Sequence, residues 1–455
     1  MPTDRRRFLV TAGLSLAAGA SSAARESIPR RSFDASASRP RGAAARGLSV
    51  EPLAAEPDLS TWDAVRAQFD LARGYVQLSQ FYLVSHPRPV REEVDRIRRE
   101  LDAQPFLTVE HGLFDRPRRV REAAAVYLGG RPEEVALTTN TTTGLAIVYN
   151  GLPLKAADEI LTTTHDHYSH LESLRLAAER AHASVRKVTL YDDSAAASED
   201  EIVERLRRAI RPATRVVGVT WVHSCTGVKL PIRRIGQAIA EANRGRAEAD
   251  KVLLIVDGVH GFGVEDEAVA GMGCDFFSAG THKWILGPRG TGLVWGRASA
   301  WALTRPTIPA FEQPPYFAWM TGQPQGPVSA SWLTPGGFQA YEHQWALPAA
   351  FDFHRRIGRT RIAERIHALN DQCKEGLATM PHVTLKTPRG SRLSAGIICF
   401  EVKGLKPEEV VARLLEKRVV ASASPYLVSY PRLAPSLVNT PQEVDTALAA
   451  VRSLA

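Results

Sequence analysis

The chain predicts an α/β protein, with a large, mostly parallel sheet followed by a smaller α+β domain. Three observations predict it. Between Val135 and Val256, short β-branched runs alternate with amphipathic stretches of helical period, the pattern of successive strand–helix units. Val252–Val256 is an unbroken apolar run, as in a strand buried on both faces. It delivers Asp257 at its carboxyl end, where open α/β sheets bind their ligands. After Leu303 the alternation stops, and six prolines from Pro306 to Pro327 mark a long irregular connection.

The elements follow in order. Thr61 to Phe69 reads as helix and Tyr75–Leu78 as a short strand. Pro89–Arg99 and Arg116–Leu128 are helical, with charges on one face and Val/Ala/Leu on the other. Strands are expected at 135–138, 160–164, 184–189 and 214–222. The helices between and after them are expected at 143–150, 171–181, 198–210 and 232–243. Beyond the connection, 345–357 and 361–377 read as helix, as do 407–415 and 441–454. Strands are expected at 383–385, 396–402 and 419–422. Gly287, Pro288, Gly290 and Gly292 make a turn-rich stretch that cannot be regular helix.

The amino terminus reads as a targeting segment. Asp4-Arg5-Arg6-Arg7-Phe8-Leu9 resembles the twin-arginine export consensus, and a small-residue apolar run continues to about Ala20. That run is too short to span a membrane. The expectation is a leader over 1–24 and a flexible linker over 25–60. An arm over 61–90, a large domain over 91–304 and a small one over 305–455 follow, in a protein exported folded to the periplasm. Residues 1–50 hold nine Arg against three acids, and the rest of the chain holds 48 basic and 46 acidic residues. The basic balance therefore belongs to the leader and linker and gives no reason to invoke nucleic acid. Four cysteines, Cys225, Cys274, Cys373 and Cys399, form no CxxC or zinc pattern. A disulfide is open to them in an oxidising compartment; Cys274 and Cys399 sit in apolar runs and read as core.

The chemistry centres on Asp257 and on Lys283, twenty-six residues later in the glycine-flanked segment Ser278-Ala279-Gly280-Thr281-His282-Lys283. Pyridoxal 5'-phosphate needs such a pair: a lysine to hold its aldehyde and a carboxylate to keep its ring nitrogen protonated. A cation such as His282 beside the lysine favours the free amine. Asn140-Thr141-Thr142-Thr143-Gly144 lies where a strand enters a helix, and free N–H groups with hydroxyls there make either an anion site or an ordinary cap. His165, His167 and His170 cluster after the next strand. They carry no evident carboxylate ligand set, so no metal site is assigned.

Read together, Asp257-Gly258-Val259-His260, Thr281-His282-Lys283-Trp284 and Gly287-Pro288-Arg289-Gly290-Thr291-Gly292 resemble the class V (fold type I) aminotransferase family. That family includes cysteine desulfurases, kynureninase and isopenicillin-N epimerase. The resemblance covers about Thr61 to the end. It implies a homodimeric pyridoxal-phosphate enzyme with a seven-stranded large domain, acting on a small-molecule or peptide-linked amino-acid substrate. It implies that Thr141 and Thr142 cup the phosphate, which His282 also reaches. His167 stacks on the ring and can relay protons, Asp257 meets the ring nitrogen, and Ser224 and His260 lie near the phenolic oxygen. Arg432 grips the substrate carboxylate, for which a guanidinium fork is suited. In Thr334-Pro335-Gly336-Gly337-Phe338 the family's Thr is replaced by Phe338, which leaves backbone donation near Gly337 across a dimer interface. The family's Asn-rich entry segment is replaced by Ser79-Gln80-Phe81.

Desulfurases carry a nucleophilic Cys shortly before that arginine. Here the stretch reads Ser422-Ala423-Ser424-Pro425-Tyr426, with no Cys after Phe400. The expectation is therefore the exported, isopenicillin-N epimerase-like branch. Within it, Trp221–Arg233 and Val256–Asp266 resemble the periplasmic enzymes that tailor the glutamate group of pyoverdine siderophores. Epimerisation, transamination or lyase chemistry on another amine is the alternative, and a non-catalytic cofactor-binding protein a further one.

Overall fold

The computed structural model describes residues 56–323 and 326–455. The leader and nearly all of the linker expected before residue 61, and Pro324 of the proline-rich connection, lie outside the described residues. Glu56–Ala455 forms one compact unit. Just before residue 61, Leu59 is buried, and its carbonyl accepts from the Arg361 guanidinium.

Thirteen strands are numbered in chain order among the described residues. The large sheet holds β2 (Val135–Thr138), β3 (Glu159–Thr163), β4 (Ser184–Val188), β5 (Thr214–Thr220), β6 (Leu253–Asp257), β7 (Phe276–Gly280) and β8 (Gly292–Gly296). Their order across the sheet is β2-β8-β7-β6-β5-β3-β4. β8 alone runs antiparallel to its two neighbours. The strand alternation puts Val217, Val219, Leu254 and Val256 in one core layer and Val216, Ile255 and Phe276 in another. Helices cover both faces, as a parallel sheet requires.

The first five strands of this sheet fall where periodicity placed them, and β7 completes the run just before the lysine turn. β8 is the harder one to see. Glycines at both its ends hid it inside the turn-rich stretch, yet Gly292 is needed because a Cβ there would lie 2.9 Å from the Asn140 backbone.

After Leu303 the chain runs back along the large sheet. The short helix Ala330–Leu333 packs on β2, and Leu347–Ile357 packs on the helices Asp115–Leu128 and Arg88–Ala103. Part of the expected irregular connection is the helix Gln313–Thr321, with Pro314 and Pro315 in its first turn, where a missing N–H costs nothing. The change of composition thus precedes the structural change, which comes at the long helix Arg359–Ala378. Beyond it, β9 (Val383–Leu385), β10 (Ile398–Val402), β12 (Ser422–Ala423) and β13 (Pro431–Leu433) form a four-stranded antiparallel sheet. Helices Pro407–Glu416 and Pro441–Arg452 join Arg359–Ala378 in covering this sheet's core. The expected strand 419–422 is split in two, since β11 (Val419–Val420) turns away to pair in parallel with β1 (Val76–Gln77).

Candidate active site

Nine of the ten residues singled out from the sequence surround one cavity of about 180 Å³ at the carboxyl ends of β5 and β6. Gly337 does not. Its loop contributes nothing to this cavity, and a Cβ built on it meets open space.

β6 ends in Asp257, which is 2% exposed and accepts one backbone hydrogen bond, from Val259 N–H at 3.2 Å. Burial raises its pKa; His170, that N–H, Lys283 and His167 oppose the shift. Lys283 follows β7 in the turn that leads to β8. Burial pushes its ammonium down to about 8, with Arg432 adding to the shift and Asp257 resisting it. At neutral pH an appreciable fraction of this amine is therefore free.

The hydrogen bonds around His260 agree. Trp284 Nε1, which can only donate, faces His260 Nδ1 at 3.4 Å. The neutral imidazole then carries its proton on Nε2, and that atom faces Lys283 Nζ at 3.4 Å. In its uncharged form the lysine amine can accept from that N–H. Burial holds His260 neutral, with Lys283 and Arg432 reinforcing it.

On the other side, the helix Thr141–Gly151 starts beside β7. Asn140 caps it, accepting from Thr143 N–H at 2.9 Å. The Thr141 hydroxyl oxygen accepts from Gly280 N–H at 2.8 Å, which ties the helix start to the sheet. Thr141 and Thr142 line the cavity, and as first-turn residues their N–H groups have no intrahelical acceptor, the arrangement that binds anions. His282 donates from Nδ1 to Thr291 O at 3.2 Å. Its neutral ring thus offers an acceptor at Nε2. It becomes a donor to an anion only as imidazolium, which burial disfavours and an adjacent anion would favour.

His167 caps the helix Tyr168–Ala181: its Nδ1 accepts from Ser169 N–H at 3.2 Å, so the proton of the neutral ring sits on Nε2. Burial lowers its pKa. The ring meets Tyr426 edge-on, with centroids 5.9 Å apart. Its two sequence neighbours look elsewhere: His165 stacks on Tyr191 at 4.0 Å and His170 meets Tyr149.

Arg432 reaches the cavity from β13. It is 4% exposed and lies over the Phe81 ring at 4.8 Å. Its Nε donates to Ser422 Oγ, and its two terminal nitrogens to Ser224 O at 3.1 Å and Ala423 O at 2.9 Å. Ser224 Oγ and Tyr426 OH are 2.7 Å apart. Sequence reasoning passed over Tyr426, reading its loop only for the missing cysteine, and treated Phe81 as a departure rather than as the face on which Arg432 rests.

A larger hollow of about 590 Å³ opens at the opposite, amino-terminal edge of β5 and β6. Three of its five cations are already paired with neighbouring carboxylates, Arg215 with Asp158, Lys251 with Glu248 and Arg297 with Asp275. Size does not mark the chemistry here.

A buried amine of lowered pKa, a carboxylate at a strand end and a helix start with spare N–H groups, on a seven-stranded α/β sheet, define a fold type I pyridoxal-phosphate enzyme. The residues fit that group: the amine suits its aldehyde, the carboxylate its ring nitrogen and the helix start its phosphate. The model of the family "Aminotransferase class-V" matches residues 108–425, and the chain belongs to this pyridoxal-phosphate-dependent family. It is 28% identical over 407 residues to isopenicillin N epimerase of Streptomyces clavuligerus, across 85% of this chain and 96% of that one. It is 24% identical over 285 residues to a probable cysteine desulfurase of Halalkalibacterium halodurans, across 62% and 65%. Among solved structures, a variant of C-DES with glycine covalently linked to the PLP cofactor matches with TM-score 0.74 at 23% identity, over 85% of this chain and 98% of that one. The apo cysteine desulfurase of Thermococcus onnurineus NA1 matches with TM-score 0.73 at 21% identity, over 86% and 97%.

Proposed function

We propose that this class-V enzyme acts on the amino group of a substrate whose carboxylate is held by Arg432. The observation that carries the reading is the unmatched charge of that arginine. Three of its five N–H groups go to neutral oxygens, and no carboxylate pairs with it among the described residues. Neutral acceptors disperse a buried charge without cancelling it. Two N–H groups remain for a bidentate anion in the cavity that holds Lys283.

The bound cofactor supplies an electron sink for negative charge developing at the substrate α-carbon. In the proposed assignment, Thr141 and Thr142 hold the phosphate through their backbone N–H groups, aided by His282. Asp257 holds the ring nitrogen, while Ser224 and His260 hold the ring oxygen. His167 covers the ring face. Lys283, its pKa lowered to about 8 by burial, holds the aldehyde at rest and moves the α-proton during turnover. Gly337 would contribute only from a second copy of the chain, in a homodimer.

We infer further that the substrate is an amino-acid group of a peptide secondary metabolite, a siderophore of the pyoverdine type, met in the periplasm. The leader and the segments Trp221–Arg233 and Val256–Asp266 support this. Epimerisation is the second reading, favoured by a likeness that spans 96% of an isopenicillin N epimerase. Desulfuration has the least support. All four cysteines are free and buried, and burial pushes the thiols of Cys225, Cys274 and Cys373 up to about 12.

The test is α-proton exchange in heavy water, followed by mass spectrometry, on free amino acids and on peptide-linked glutamate. Exchange that needs a free carboxylate and vanishes in Arg432→Ala is expected. Equal exchange on amines lacking a carboxylate would sink the reading. Product analysis then separates epimer, keto product and cleavage. For export, changing Arg5, Arg6 and Arg7 together to Lys should strand folded protein in the cytoplasm, and unchanged periplasmic accumulation would refute that route.

A further inference from the structure

Behind Asp257, on the sheet face away from Trp221, lies a buried polar chain that the cofactor contacts do not use. Tyr149, on the helix Thr141–Gly151, places its hydroxyl 2.6 Å from His170 Nε2. His170, on the helix Tyr168–Ala181, places Nδ1 3.3 Å from Thr220 Oγ1 and 3.8 Å from Asp166 Oδ1. Thr220 is the register partner of Asp257 on the adjacent strand, so the two side chains stand side by side on one face. Tyr149 and His170 are both 0% exposed.

Asp166 anchors the chain. One carboxylate oxygen accepts from Thr162 Oγ1 and Thr163 N–H, each at 2.8 Å, and the other from Thr220 N–H at 2.7 Å. Burial pushes this carboxyl up, but His170, His223 and the donated hydrogen bonds carry it below its ordinary range. The backbone is cut to fit. Gly218 lies on the same face of β5, and a Cβ there would come 2.2 Å from Tyr149 OH and 3.0 Å from His170 Nε2. A side chain at 218 would evict the pair.

Asp257 has a problem that this chain answers. It is buried with a single backbone donor, which favours the neutral acid, yet an acid cannot pair with a protonated ring nitrogen. Of the titratable groups facing it, His170 does most to oppose burial, ahead of Lys283 and His167. His170 is also tied through Thr220 to the strand position beside Asp257.

We propose that Tyr149, His170 and Thr220, anchored by Asp166, are positioning residues that orient Asp257 and hold it as a carboxylate. Resting on the pyridoxal-phosphate reading above, this gives the chain control of proton occupancy at the cofactor ring nitrogen, without touching the cofactor.

The test uses the full-length holoenzyme loaded with cofactor isotope-labelled at the ring nitrogen. NMR reads protonation of that nitrogen as pH is varied. The wild type should keep the nitrogen protonated across the neutral range. His170→Gln, which keeps hydrogen bonding but cannot carry charge, should lower its proton affinity by about tenfold or more, one pKa unit. Tyr149→Phe, a milder change that leaves the fold's volume intact, should move it in the same direction by less. A wild-type titration in both soluble variants, with Asp257→Asn deprotonating the nitrogen, would overturn the proposal and leave the cofactor reading standing. If His170→Gln does not fold, Tyr149→Phe decides alone, an unshifted titration counting against. A wild type that takes up no cofactor on Lys283 would overturn the underlying reading instead.

Discussion

Lys283 and Arg432 occupy one cavity but answer to different experiments. Borohydride reduction of the holoenzyme should fix the cofactor on Lys283, and peptide mass mapping should find no other tagged lysine. Arg432→Ala should leave the cofactor absorption unchanged, because its contacts are with Ser224, Ser422 and Ala423 rather than with Lys283. It should weaken a carboxylate substrate by about 2–5 kcal/mol, the range for truncating one partner of a buried charge pair, as measured by titration. Trp284 acts one step back. By donating to His260 Nδ1 it selects the tautomer that favours the uncharged form of the Lys283 amine. Trp284→Phe frees His260 to present Nε2 as an acceptor, which favours the ammonium. The pH at which the apoenzyme captures cofactor should then rise above about 8. A capture profile identical to wild type would show that the tautomer does not matter.

At the scale of elements, the phosphate cup depends on how closely the helix Thr141–Gly151 lies on β7. Gly144 makes that approach possible, since a Cβ there would come 2.3 Å from Ser278 Oγ and 2.8 Å from the Val294 side chain. Ser278 Oγ also donates to Thr141 O at 3.2 Å, so lifting the helix breaks the register of its first turn. Gly144→Ala should cost about 1–3 kcal/mol of stability through overpacking. Denaturant titration gives that loss, and cofactor affinity should fall with it. Asn140→Ala, by contrast, removes only the cap and should cost about 0.5–2 kcal/mol. Equal cofactor affinity in the two variants would argue that helix placement is not what builds the cup.

Across the whole molecule, buried histidines set the acid limit of stability. Burial depresses His223 and His354, both 0% exposed, to about 3. In the unfolded chain each titrates near its ordinary value of about 6.5. The folded state binds fewer protons below that value, so stability is complete above about 6.5 and is lost as pH falls toward the folded values. Each such group removes about 1.4 kcal/mol per pH unit in that window. The melting temperature should therefore fall steeply below about pH 6.5, before most carboxylates titrate. His354→Gln should flatten the fall, because an amide carries no proton-linked penalty. A flat profile down to about pH 5 would contradict the neutral burial of these rings.

Much of this molecule is written in local order. Val252–Val256 announces a buried strand and Asp257 at its tip; the alternation from Val135 onward announces the parallel sheet; Thr281-His282-Lys283 announces the attachment lysine. These signals survive in one dimension because burial on both faces demands unbroken apolar runs and because a turn needs glycine where it bends. What the sequence could not decide depended on partners distant along the chain. β8 exists because Leu293 and Trp295 pair with β2 and β7, a match invisible from its glycine-rich ends. β11 leaves β12 because Val76 and Gln77 arrive to pair with it. Arg432 becomes a buried cation only when β13 docks it against Phe81 and Ser224. His170, one of three neighbouring histidines, becomes the group behind Asp257 only because Gly218 opens the space for it. Residue types and period determine which elements form and which chemistry they can carry. Tertiary packing alone decides which charges are left without a partner, because desolvation is a property of the assembled neighbourhood rather than of the residue.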